Sequence, residues 1–276
     1  MFIVTGVYTQ RDPRKTDLYK ILDQYFDEFK RVYPERFEES YGPWRSEIEE
    51  AVRGYLNCGI FDTGFAKIYC PECDSYYVLP FSCKKYTLCP SCQEKRSLWW
   101  SEWLCEEVAQ EVAHRQYVFT IPHVLRGFFR RNRYLLKELS RVAWESVKEF
   151  FQILCPQAGE DAVAGGVSCP QTCGNLLNWH PHIHMLITDG LFANDGTFYS
   201  LPELTSEELD DLTRLFRAKV INMLRDKALL SEELANKILS WRHNSGFSVH
   251  NKVRIEAGDR EGLERVARYI IRSPVS

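Results

Sequence analysis

Two Cys-x2-Cys pairs, Cys70-Pro-Glu-Cys73 and Cys89-Pro-Ser-Cys92, stand fifteen residues apart in a chain of 276 residues. Knuckles at that interval bring four thiolates round one tetrahedral ion, the spacing of zinc ribbons and zinc fingers. A closed set of four sulfurs has no open coordination position, so the expected Zn2+ is structural. It would supply folding free energy that so small a segment cannot draw from its own core. Cys58 and Cys83 lie close by, each either a thiol packed beside the site or a ligand that replaces one of the four. Cys105, Cys155, Cys169 and Cys173 read as small buried or surface residues.

The metal reading needs reduced cysteines, and the rest of the sequence agrees with that. No apolar run approaches the roughly 20 residues that cross a bilayer. The opening MFIVTGVYTQRDPRK lacks the apolar length and cleavage pattern of a signal peptide. A cytoplasmic location with no membrane partner is expected, and disulfides are rare there. With 45% hydrophobic and 13% aromatic residues the chain can bury a sizeable core. Its length suits one or two domains. The net charge of −3 does not by itself point to nucleic acid, so such a role must rest on local patches.

Periodicity divides the chain into three parts. In residues 1–57, Leu18, Ile21, Leu22, Tyr25, Phe26, Phe29 and Val32 form one helical stripe, and Trp44, Ile48, Val52, Tyr55 and Leu56 a second. Residues 58–113 hold the zinc-binding segment and a helix from about residue 94. From residue 114 onward the pattern reads strand (116–122), long helix (126–154), strands (162–169 and 182–190), helices (206–240), strand (247–257) and a last helix capped by Asp259. Adjacent strands without an intervening helix predict an α+β fold: N-terminal helices, a small zinc-ribbon-like module, then an antiparallel or mixed sheet with helices on one side.

Within that last part, residues 178–190 read Asn-Trp-His-Pro-His-Ile-His-Met-Leu-Ile-Thr-Asp-Gly. Residues two apart on a strand share a face, so His182 and His184 project together while Ile183, Met185 and Ile187 point the other way. Paired neutral imidazoles suit a divalent cation, although open sheet faces also carry histidines without one. His180 has the same parity, but Pro181 is expected to open the strand and leave it outside the regular pleat. On the last helix, Leu263, Val266, Ala267, Ile270 and Ile271 form the apolar stripe. Tyr269 falls on the wet side with Arg265 and Arg272, at i−4 and i+3, where it can meet a phosphate or simply cover the edge of the core.

Basic residues cluster locally. Residues 125–141 carry Arg126, Arg130, Arg131 and Arg133 with Phe128, Phe129 and Tyr134 interleaved. Arginines neutralise phosphates and aromatics stack on bases, which suits single-stranded nucleic acid; a solvated helix face is the other reading. Lys84 and Lys85 add positive charge inside the cysteine segment.

Taken together, Ser82–Cys92, Arg115–Arg126, His180–Phe192 and Arg268–Pro274 resemble, in that order, four segments of the rolling-circle transposases of the IS91 type, within the HUH (His–hydrophobic–His) endonuclease superfamily. The resemblance runs from near Cys58 to the end. It implies a central antiparallel sheet with the histidine strand in the middle. It also implies Mg2+ or Mn2+ on His182, His184 and a third ligand, for which His180, Asp189 and Glu256 are the candidates. Tyr269 would attack single-stranded DNA at transposon ends, leaving a 5′-phosphotyrosine and a free 3′-OH, and Trp179 would help hold the strand. Related transposases continue well past the tyrosine while this sequence stops at Ser276, so a C-terminally truncated catalytic domain is expected. Two alternatives stand beside it: a non-catalytic zinc-dependent DNA-binding remnant, and a rolling-circle replication initiator or relaxase.

Overall fold

A computed structural model describes residues 12–174, 177–241 and 246–274. The chain forms two compact units, the first reaching to Arg96 and the second spanning Ser97–Arg272. No described helix is long and apolar enough to cross a membrane.

In the first unit, α1 (Asp17–Arg36), the short α2 (Glu38–Tyr41) and α3 (Ser46–Leu56) follow the two predicted stripes. Of the predicted residues Phe26, Val52 and Tyr55 are buried; Tyr33, outside the predicted stripe, is buried on α1, while Ile21, Tyr25 and Phe29 of that stripe are exposed. An antiparallel hairpin, β1 (Phe65–Cys70) and β2 (Ser75–Pro80), comes next; α4 (Pro90–Trp103) follows it and continues past Arg96, to which this unit reaches. Sequence periodicity gave no sign of this hairpin, because both its faces stay largely exposed and neither strand alternates apolar with polar.

The second unit is built on a four-stranded antiparallel sheet in the order β4-β5-β3-β8. Its strands are β3 (His114–Thr120), β4 (Gly166–Cys173), β5 (Trp179–Thr188) and β8 (Ser248–Ile255), with β6 (Gly190–Phe192) and β7 (Phe198–Ser200) forming a separate small pair. The helices are α5 (His123–Arg131), α6 (Leu135–Leu154), α7 (Ser206–Asp226), α8 (Glu232–Leu239) and α9 (Arg260–Ile270). One sheet face carries Tyr117, Phe119, Ile183, Met185 and Ile187, all fully buried against apolar residues of α6 and α7 such as Phe151 and Phe216. Each such side chain contributes about 1.5–3 kcal/mol by leaving water. The histidine strand β5 is one of the two inner strands, between β4 and β3, as the family resemblance implies.

Three expectations change. Helices do not keep to one side, because α9 packs on the opposite face through Leu263, Val266, Ala267 and Ile270 against Leu186 and Ile255. The single long helix is broken at Asn132, whose backbone is extended (φ −127°, ψ 98°) and whose side chain accepts from the Tyr134 N–H at 3.1 Å, a local bond that competes with helix continuation. Pro181 does not open β5 but lies inside it. It sits one residue beyond the last β3 partner, Thr120 opposite His182, and beside the register shift in β4, so its missing N–H leaves no ladder bond unmade.

Candidate metal centres and tyrosine site

The first unit gathers four thiols, and they are not the four that spacing selects. Cys58, Cys83, Cys89 and Cys92 lie with all sulfurs within 4.8 Å of one another. Individual Sγ–Sγ distances are 3.6 Å (Cys58–Cys92), 3.6 Å (Cys58–Cys89) and 3.7 Å (Cys83–Cys92). A tetrahedral zinc with bonds of about 2.3 Å has sulfur–sulfur edges of about 3.8 Å, so this donor set fits Zn2+. Backbone N–H groups point at the sulfurs, Cys83 to Cys58 and Lys85 to Cys83, each at 3.4 Å. The Cys89 thiol donates to Cys58, which drives the Cys58 pKa down to about 4; the same bond, with burial, raises Cys89.

Cys89 and Cys92 therefore take the predicted place, while Cys70 and Cys73 stand apart at the tip of the hairpin. The cause is the hairpin itself. Phe81 donates to Gly64 O at 3.1 Å and Gly59 donates to Phe81 O at 3.0 Å, closing the chain near Cys58 and Cys83, while β1 and β2 carry the Cys70–Cys73 turn to the far end. Lys84 is exposed, and Lys85 forms an ion pair with Glu50 that engages its charge.

In the second unit the histidines stand in a row along β5. Ring centroids are 5.1 Å apart for His180 and His182 and 4.9 Å for His182 and His184. His182 Nδ1 donates to the His180 carbonyl at 2.7 Å, which fixes the tautomer and leaves Nε2 with its lone pair. The Gln116 side-chain amide lies 3.0 Å from His184 Nδ1. The nearer atom is the amide Nε2, which donates to Nδ1; turning the amide over would let its oxygen accept from Nδ1–H instead, and only in that orientation does His184 Nε2 keep its lone pair for a cation. Burial lowers all three histidine pKa values, to about 4 for His180 and His184; Arg126 and His182 add to the shift at His180, His182 and Arg272 add to it at His184, and at His182 the bond to the His180 carbonyl opposes while Arg126 adds. The imidazoles are thus neutral near pH 7, the form that ligates metal.

Tyr269 meets this row. Its ring stands edge-on to His184 with centroids 5.4 Å apart, and it remains 43% exposed. The Arg272 guanidinium lies 4.9 Å from the Tyr269 ring centre, and Arg265 is exposed one turn back on α9. Gln171 of β4 donates to the Ile270 carbonyl at 2.8 Å, tying the end of α9 to the sheet beside the tyrosine. At the helix start, Asp259 accepts from the Gly262 N–H at 2.9 Å. A Cβ at Gly262 would come within 2.2 Å of the Asp259 carboxylate as it now lies, so a larger residue there would make the capping side chain turn.

The three imidazoles do not converge as the thiols do: among the described residues, the cysteine cluster alone brings three or more such ligand atoms within 4.8 Å. Asp189 and Glu256, the other candidates for a third ligand, are committed elsewhere. Asp189 receives two bonds from Arg115, at 2.9 and 3.1 Å, and one from Arg254 at 2.7 Å, while Glu256 pairs with Arg254. Near the row, Trp179 Nε1 donates to the Arg126 carbonyl at 2.8 Å, and the Arg133 guanidinium lies 4.1 Å over the Trp179 ring. Arg126 also donates to the Ile121 carbonyl at 3.3 Å, and Arg130 and Arg131 are exposed at the end of α5. Gln116 and Gln171 were not identified from sequence, because their parts depend on strand register between distant segments.

Comparison with known proteins finds two family models along the chain, the first of which runs past Arg96 to the end of β3. Residues 22–121 match the family model Zn_Tnp_IS91, described as "Transposase zinc-binding domain", and residues 165–276 match Y2_Tnp, described as "Putative transposase". The chain is 28% identical over 156 residues to the "Transposase for insertion sequence element IS801" of Pseudomonas savastanoi pv. phaseolicola, covering 55% of this chain and 36% of that protein. It is 28% identical over 263 residues to "Putative transposase y4qJ" of Sinorhizobium fredii (strain NBRC 101917 / NGR234), covering 87% of this chain and 64% of that protein. The chain thus spans between about a third and two thirds of the length of these relatives. No solved structure matches.

Proposed function

We propose that this chain, which the two transposase family models and both relatives make consistent with an IS91-like transposase, cuts and rejoins single-stranded DNA at transposon ends, with Tyr269 as the nucleophile. The observation that carries this reading is the contact of Tyr269 with His184, the neighbour of His182 on β5 and more than eighty positions away in sequence. His182 and His184, with His180 as the nearest third donor, would hold a divalent cation such as Mg2+ or Mn2+. When bound, that ion polarises the scissile phosphate.

The protein's own groups account for the rest. The Tyr269 oxygen attacks phosphorus, forming a Tyr–O–P bond as the P–O3′ bond breaks. The phenolic proton passes to solvent at this exposed position, and the leaving oxygen takes up a proton to become a 3′-OH. Arg272, beside the tyrosine ring, places positive charge where the phosphorane oxygens gather negative charge. The 5′-phosphotyrosine stores the phosphodiester bond, so a later 3′-OH rejoins strands without nucleotide hydrolysis. Trp179 presents an aromatic face for a base, and Arg126, Arg130, Arg131 and Arg133 line the approach of the backbone. In the first unit, the four-cysteine cluster would hold the structural Zn2+.

Single-stranded oligonucleotides incubated with the protein and Mn2+ test the reading. A denaturant-resistant protein–DNA adduct is expected from the unaltered chain and not from Tyr269→Phe. Equal labelling of both would remove Tyr269 from the role.

A further inference from the structure

The unit reaching to Arg96 contains six cysteines and no histidine. Four of the six gather into the cluster described above, which leaves Cys70 and Cys73. They occupy the turn that joins β1 to β2. Cys70 pairs with Ser75 at the last rung of the ladder, and the chain reverses through Asp74 in the left-handed region (φ 49°). Both sulfurs therefore belong to one tight turn. The Ser75 hydroxyl lies 2.8 Å from Cys73 Sγ, Cys73 is exposed and Cys70 is half-buried. This is a two-sulfur chelate at the most accessible end of a hairpin, half of what tetrahedral zinc requires.

We propose that Cys70 and Cys73 form one half of a second zinc site, completed by the same two cysteines of a second copy of the chain. A two-fold axis through the ion turns one Cys-x2-Cys pair into a four-sulfur set, the closed arrangement zinc prefers. The hairpin also carries the surface that such pairing would cover. Tyr69, Tyr76, Tyr77, Val78 and Leu79 are between 42% and 59% exposed, on a two-stranded ribbon with few apolar neighbours of its own. A self-complementary interface needs the same patch on both partners, and identical tips meeting at one ion supply it. The proposal does not depend on the strand-transfer chemistry of the other unit.

The experiment is zinc content and molar mass by light scattering, measured on the full chain purified under reducing conditions. The expected result is a dimer with about three zinc ions per two chains: one in each four-cysteine cluster and one shared. The Cys70→Ser/Cys73→Ser variant should be a monomer with about one zinc per chain and an unchanged circular dichroism spectrum. Three results would overturn the proposal: a monomeric wild type carrying one zinc, a monomer carrying two, or a dimer that persists with its zinc content unchanged in the double variant.

Discussion

The cysteine cluster and the histidine row were both read from short spacings, yet only one spacing survives in the structure. His182 and His184 are two apart within a single strand, so the pleat alone decides that they share a face. The cysteine pairs are separated by fifteen residues, and what lies between decides which sulfurs meet. Here that stretch holds the second strand of a hairpin, whose turn carries one knuckle away while its base brings Cys58 and Cys83 to the other. A spacing rule is dependable within one regular element and fragile across a segment that can double back.

The largest expected effect tests which four sulfurs matter. Cys89→Ser should abolish zinc binding at the four-cysteine cluster and unfold the first unit, since apparent folding free energies from structural zinc are on the order of 10 kcal/mol. Cys70→Ser should leave the cluster's zinc in place and that unit folded. Zinc release followed alongside thermal unfolding checks both. If Cys70→Ser unfolds the unit as Cys89→Ser does, the hairpin tip belongs to the structural site after all.

Next in size is the histidine row. His184→Ala should remove adduct formation, and Gln116→Ala should weaken it through the divalent ion. Losing a group that orients a ligating histidine typically costs about 10–100-fold in metal affinity. Titrating adduct yield with Mn2+ separates the two variants: Gln116→Ala should recover at higher concentration, whereas His184→Ala should not. Recovery of neither would mean that Gln116 holds the sheet rather than the histidine.

The same contrast explains what was legible in the sequence. The α3 stripe, the buried set Ile183, Met185 and Ile187, the Asp259 cap and the apolar face of α9 are local patterns, and the structure follows them; α1 forms where its stripe predicts a helix, but Ile21, Tyr25 and Phe29 of that stripe are exposed. The hairpin β1–β2 was hidden because its strands face solvent on both sides and show no alternation. The break at Asn132 was hidden because a basic and aromatic run continues through it at helical spacing. Gln116 and Gln171 owe their parts to cross-strand register, set by contacts between segments that no local pattern relates.

A smaller effect concerns the approach to the histidines. Trp179 is held by its bond to the Arg126 carbonyl and by Arg133 over its ring, so one face is committed and the side chain is pre-oriented. Trp179→Ala should weaken single-stranded DNA binding by about 1–3 kcal/mol, the range for one stacked base. Fluorescence anisotropy with a labelled oligonucleotide measures it. Unchanged affinity would assign Trp179 to packing between β5 and α5.

The smallest expected effect reaches Tyr269 from the other end of its helix. Asp259→Ala removes the acceptor for the Gly262 N–H at the start of α9 and should destabilise by about 0.5–2 kcal/mol. The apolar face on Leu186 and Ile255 and the Gln171 bond to Ile270 remain, so the tyrosine end should stay docked. The unfolding midpoint of the second unit should fall by a few degrees, while adduct yield at low temperature changes little. A large loss of adduct with only a small loss of stability would mean that the first turn of α9 sets the reach of Tyr269. The site would then share the weakness of the cysteine spacing, a local motif whose outcome is decided by a distant segment.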